Sequence, residues 1–179
     1  MKPLTIVAIA LLFFSACSNN KTTQLPPVPA NIDMVANTIT AKKFKATDLA
    51  LISKLISDKN NPYEWFDQIK DTTPFFKNYE KQKMKLAIHF MNDTAAEVTD
   101  EASVNKATWK LDSQPKSDET PGIFLRLSMQ KDETLLPGQT GRSTITFSYK
   151  VLGVDDKQLF LETPNMFNSR KLAVLMKTD

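Results

Sequence analysis

Cys17 is the single cysteine of this 179-residue chain and His89 its single histidine, so the side chains best suited to nucleophilic or metal chemistry are nearly absent. A zinc or copper site needs several converging His, Cys or carboxylate donors. One imidazole does not supply them, and neither a metal nor a cofactor is expected. A histidine-based triad would have to use His89, and no G-x-S-x-G elbow occurs to present a serine. His89 alternates onto the polar face of its segment, where a surface or cross-strand role accounts for it.

Ser113-Gln114-Pro115-Lys116 matches S-x-x-K, but Pro115 and the surrounding DSQPKSDETPG read as a loop, not as the helix start that motif needs. Phosphate-cradling glycine loops do not occur. Carboxylates come in neighbouring pairs, Asp100-Glu101, Asp118-Glu119, Asp132-Glu133 and Asp155-Asp156. A glycosidase places two carboxyls across a cleft, whereas neighbours in turns read as solvated groups or weak calcium contacts. The chain is expected not to be an enzyme.

Cys17 follows a short positive start, Met1-Lys2, and the unbroken apolar run LTIVAIALLFF over residues 4–14. That order is a secretory signal peptide, and the run is shorter than the roughly 20 residues a membrane span needs. Phe14-Ser15-Ala16-Cys17 resembles the lipobox of bacterial lipoproteins, with Phe14 where leucine is usual. The resemblance implies cleavage before Cys17, a diacylglyceryl group on its sulfur and acylation of the new amino terminus. One acyl chain holds a protein only marginally, at about 0.8 kcal/mol per buried methylene, and three would hold it firmly. Ser18, in place of the aspartate that marks inner-membrane retention in enterobacteria, implies the outer membrane and its periplasmic face. The other reading is a plain signal peptide cut after Ala16 that leaves a free thiol. With Cys17 lipidated no disulfide is available, although the compartment permits one.

Residues 1–16 are thus read as signal peptide and 17–31 as the lipidated cysteine and a flexible tether, SNNKTTQLPPVPAN, whose prolines favour an extended path reaching roughly 40 Å or less. What is left, about 160 residues, suits one domain or one domain plus a small appendage. The net charge of +3 leaves no nucleic-acid footprint. Lysines crowd the early part and acids the stretch from Asp93 to Asp156, which reads as solvated faces or, for the basic part, as a surface near anionic lipid headgroups.

Residues 32–82 are read as a helical extension. Leu49, Ile52, Leu55 and Ile56 fall on one face at helical spacing, and Asn61-Pro62 and Thr73-Pro74 are cap-plus-proline starts. From Lys83 the period changes to two. Met84, Leu86, Ile88 and Phe90 alternate with polar neighbours, as do Ile123 to Met129 and Ile145 to Val151; KATWKL, QLFLE and KLAVLM add three more strands. Short strands at regular spacing without long helices between them predict a mainly β fold, an antiparallel β-sandwich of immunoglobulin or transthyretin type over residues 83–179.

The order of features from Lys83 onward, KLAIHFMND, LLPGQTGRSTITF and YKVLGV, resembles the TssJ family, outer-membrane lipoproteins of type VI secretion systems. That resemblance implies a small sandwich touching a periplasmic or membrane protein partner. Tyr63, Trp65, Phe66, Phe75, Phe76 and Tyr79 crowd one segment, and they either pack helices onto a sheet or form an aromatic patch of the kind that anchors interfaces. Phe124 and Phe160, on potentially wet strand faces, pose the same choice. The candidate partner-binding set is Trp65, Phe66, Phe75, Phe76, Phe124 and Phe160. Two functions follow: a non-enzymatic interaction module in a cell-envelope assembly such as a secretion system, or a ligand carrier or hydrolase inhibitor. A carrier needs a lined cavity of about 300 Å³ or more; a module needs a flat patch.

Overall fold

The computed structural model describes residues 24–52, 62–69, 74–100, 103–113, 121–136, 139–167 and 170–179. Helix α1 (Ile32–Ile39) starts where Asn31 Oδ1 accepts the Met34 N–H at 2.8 Å, a side-chain cap on an otherwise orphan donor. Past its C-cap Thr40, Ala41 with a φ of 59° turns the chain into β1 (Lys43–Ile52). β2 (Tyr63–Trp65), a turn of 3-10 helix (Phe66–Gln68) and α2 (Pro74–Lys83) follow. The remaining strands are β3 (Ala87–Phe90), β4 (Ala95–Asp100), β5 (Ser103–Asp112), β6 (Ile123–Leu136), β7 (Gln139–Val154), β8 (Gln158–Phe167) and β9 (Arg170–Thr178).

All pairings are antiparallel, and each strand from β3 to β9 lies beside the next. β1 pairs with β3 along one edge and with β9 along the other, from Phe44↔Thr178 to Leu51↔Leu172. The sheet therefore closes on itself as an eight-stranded barrel, and β2 is an extra strand on the end of β1. The mainly β, antiparallel character matches the sequence reading, but the sheet does not divide into two facing layers. Bulges between Ala46 and Asp48, Val151 and Gly153, and Glu162 and Met166 bend the strands enough to bring the last against the first.

β1 corrects the expectation of a helix over Leu49–Ile56 as far as residue 52, the rest of that stretch lying outside the described residues. Its run Leu49-Ala50-Leu51 is buried on both faces, so it shows neither clean alternation nor a helical stripe, and period alone cannot separate the two. At the bulge the Thr47 hydroxyl donates to Leu175 O at 3.2 Å. The segment read as a helical extension thus contributes the strand that closes the barrel. The sequence places a strand start at Lys83, whereas α2 runs to Lys83 and β3 begins at Ala87; Leu86, Ile88 and Phe90 are buried as the alternation requires. Pro74 does stand at the first position of α2.

The barrel interior is filled by alternate residues of every strand. Phe44, Ile88, Phe90, Leu125, Leu159, Leu161 and Met176 are fully enclosed, and Val35 and Ile39 of α1 join the same core. Phe90 meets Phe44 and Trp109 edge-on at 6.2 and 5.1 Å, and Trp109 Nε1 donates to Asn92 O at 2.7 Å. These residues close the end of the barrel nearest α1. Two Asx turns build that end: Asn92 Oδ1 accepts from Thr94 N and Ala95 N, and Asp155 Oδ1 from Lys157 N and Gln158 N.

A second, smaller core lies on the outer surface of β1, β8 and β9, where Ala50, Trp65, Phe160, Ala173 and Leu175 pack with Leu25 and Leu152. The amino-terminal segment docks there. Val154 N–H donates to Pro27 O at 3.0 Å, and a β-carbon on Gly153 would lie 2.4 Å from Pro26 O. The stretch read as free tether up to residue 31 is therefore attached to the barrel from Leu25 on.

Candidate functional site

The end opposite α1 is where β4 hands over to β5, β6 to β7 and β8 to β9. Inward positions change character on the way to this mouth. Along β5 they run from Trp109 through Ala107 to Asn105 and Ser103; along β4 from Ala96 through Val98 to Asp100; along β8 from Leu159 through Leu161 to Thr163. Large apolar side chains fill the closed end, while small or polar ones leave room at the mouth.

The result is a cavity of about 470 Å³. Leu86, Val98, Leu127, Met129, Phe147 and Tyr149 make its apolar wall, and Lys83, Asp100, Ser103, Asn105 and Thr163 its polar one. The pairing geometry opens it. β5 and β6 part beyond Ala107↔Met129, and β7 and β8 part beyond Lys150↔Glu162, so the upper half of the long β6–β7 hairpin pairs only with itself. On the outer surface of the first fork a second hollow of about 530 Å³ is lined by Asn105, Lys106, Ala107, Thr108, Ser128, Gln130 and Thr144. Apart from Ala107 its lining residues are polar and none is a large hydrophobe, so the inner cavity is the better ligand site.

Lys83 enters from the last turn of α2, where a cation is favoured by the helix dipole, and its Nζ sits 5.8 Å from the centre of the Tyr79 ring. Burial, and secondarily the charge of Asp100, pushes the Tyr149 phenol up to about 12. The phenol is thus a neutral hydrogen-bonding group beside a carboxylate. Burial likewise raises Tyr79. Val104, between the inward Ser103 and Asn105, points out and is 63% exposed. This stretch of β5 is polar inside and apolar outside, the reverse of the strand below it.

Cys17 lies outside the described residues. Trp65, Phe66, Phe124 and Phe160 are buried in the chain by itself, at 6, 4, 2 and 1% exposure. Trp65 and Phe160 meet in the outer core, and Phe66 belongs to the main core. Phe124 does face outward as its register indicates, with Arg126 stacked 5.2 Å over its ring; Arg126 also reaches Asp112 at 3.3 Å and Ser148 at 2.8 Å. Phe75 and Phe76 are in α2, and their side chains are outside the described set. His89 is half-exposed with Nδ1 3.7 Å from Glu97 Oε2 across β3 and β4. Ser113 follows β5 directly, and Lys116 is not among the described residues.

Of the carboxylate pairs, Asp100 lines the cavity, while Asp155 builds its turn and Asp156 pairs with Lys42. Sequence reading missed Lys83, Asp100, Ser103, Asn105, Phe147 and Tyr149 as a group. The inverted amphipathicity of Ser103-Val104-Asn105 was the signal that pointed to them.

Among the described residues no three His, Cys, Asp or Glu side chains converge as a metal set, and no helix is long and apolar enough to cross a membrane. The chain has no significant match to any protein-family profile, curated protein or solved structure.

Proposed function

We propose that this protein is a non-enzymatic, lipid-anchored carrier that holds a small, mainly apolar ligand in the mouth of its barrel. The cavity of about 470 Å³ carries the reading: it exceeds the roughly 300 Å³ a ligand pocket needs and combines an apolar wall with a few polar groups. An eight-stranded barrel is wide enough to hold one small ligand. The anchor rests on the lipobox resemblance at Cys17, and with it the periplasmic face of the outer membrane as the place of work. Of the aromatic set proposed for an interaction module, Trp65, Phe66, Phe124 and Phe160 are buried, which favours the carrier, while the side chains of Phe75 and Phe76 lie outside the described set.

The test is titration with the neutral apolar dye N-phenylnaphthylamine. Saturable one-to-one enhancement is expected for the native chain, with loss in Ser103→Phe, which fills the mouth. Absence of saturable binding by a chain with intact β circular dichroism would overturn the reading.

A further inference from the structure

Among the described residues neither Lys83 nor Asp100 makes a side-chain ion pair or side-chain hydrogen bond, with each other or with any other group; the ammonium of Lys83 is engaged only by the ring of Tyr79. Lys42, Lys45, Arg170 and Lys171 are each paired to a carboxylate, whereas Lys83 is not, like the surface lysines Lys85 and Lys106; what distinguishes Lys83 and Asp100 is their place in the cavity. The two unpaired opposite charges share one cavity with the apolar wall.

We propose that the mouth selects a zwitterionic amphiphile, with its anionic group on Lys83, its cationic group on Asp100 and its apolar part against Leu127, Met129 and Phe147. A ligand with a single negative charge leaves Asp100 facing it across the cavity, and a single positive charge leaves Lys83 facing it. A ligand carrying both signs satisfies each group. Asp100 and the Tyr149 phenol line the same cavity, so the carboxylate stands at the rim of a wall that also carries a hydroxyl. The side chains of Phe147 and Tyr149 line the same space. Ser103 and Asn105 add neutral hydrogen-bonding groups.

The inference rests on the carrier reading and deepens it. The zwitterion could come from a phospholipid headgroup with its acyl chain or from a short apolar peptide with free termini, and the probes separate these sources.

Calorimetric titration of the full chain compares dodecylphosphocholine, laurate, dodecyltrimethylammonium, dodecyl maltoside and trileucine, each below its micellar concentration. Dodecylphosphocholine or trileucine is expected to bind at least tenfold more tightly than the singly charged and neutral probes, and the tighter of the two identifies the source. Lys83→Gln should remove that margin and leave a preference for the cation; Asp100→Asn should remove it and leave a preference for the anion. Equal binding of all dodecyl probes, or margins unchanged in both variants, overturns the charge assignment while the carrier reading stands. Binding of no probe overturns both.

Discussion

Trp65 stacks on Phe160 with ring centres 6.0 Å apart and planes inclined by 30°, and Tyr63 meets the same Phe160 edge-on at 4.9 Å. This aromatic group joins β2 to β8 on the outside of the barrel. Trp65→Ala should therefore cost about 3–5 kcal/mol, the usual range for removing a buried large aromatic side chain. Urea unfolding followed by circular dichroism measures it. An unchanged midpoint would mean that Trp65 is a surface group available to a partner.

Gly153 backs onto Pro26 so closely that no β-carbon fits. Gly153→Ala should displace residues 25–28, break the Val154-to-Pro27 hydrogen bond at 3.0 Å and destabilise the chain by about 1–3 kcal/mol, as overpacking does. Amide exchange at Val154 reads the effect. Protection equal to that of the native chain would show that the segment is not held there.

Tyr149 gives a pH dependence whose sign follows from burial. Burial pushes the phenol up to about 12 in the folded chain, whereas the unfolded chain releases the proton near the ordinary value of 10.0. The associated stability is intact below pH 10 and is lost as pH rises from 10 toward 12. That difference corresponds to about 3 kcal/mol. Denaturant midpoints measured across that window should fall, and Tyr149→Phe should flatten the slope. A slope unchanged in the variant would assign the alkaline loss to other groups.

The anchor proposal concerns a single sulfur. Cys17→Ser should move the protein from the membrane fraction to the soluble one and abolish labelling by radioactive palmitate. Label retained in that variant would refute lipidation at Cys17.

Much of the barrel was legible in the linear order of residues because a half-buried strand writes its own period. Ile123 to Met129, Ile145 to Val151 and the segment through Leu86, Ile88 and Phe90 all alternate, and their inward members other than Ile145 are buried or packed on the core. The proline at the head of α2 and the turn residues Asn92 and Asp155 act through local hydrogen bonds or fixed φ, so their meaning is local too. β4 went unrecognised because its polar residues Glu97, Thr99 and Asp100 hide the apolar pair Ala96 and Val98.

Closure of the sheet is another matter. Nothing local tells Leu49-Ala50-Leu51 that both of its faces will be covered, one by the barrel interior and the other by Trp65 and Phe160. That depends on pairing between β1 and β9, more than a hundred residues apart, as in Thr47 to Leu175. The cavity likewise exists only because five strands and the segment from α2 to β3 come together at one end, bringing Lys83 of a helix and Asp100 of a strand to a common space. Residue types and periods are properties of neighbours along the chain and determined which segments are strands. Curvature, closure and the company each side chain keeps depend on contacts between distant segments, and only the tertiary structure decided them.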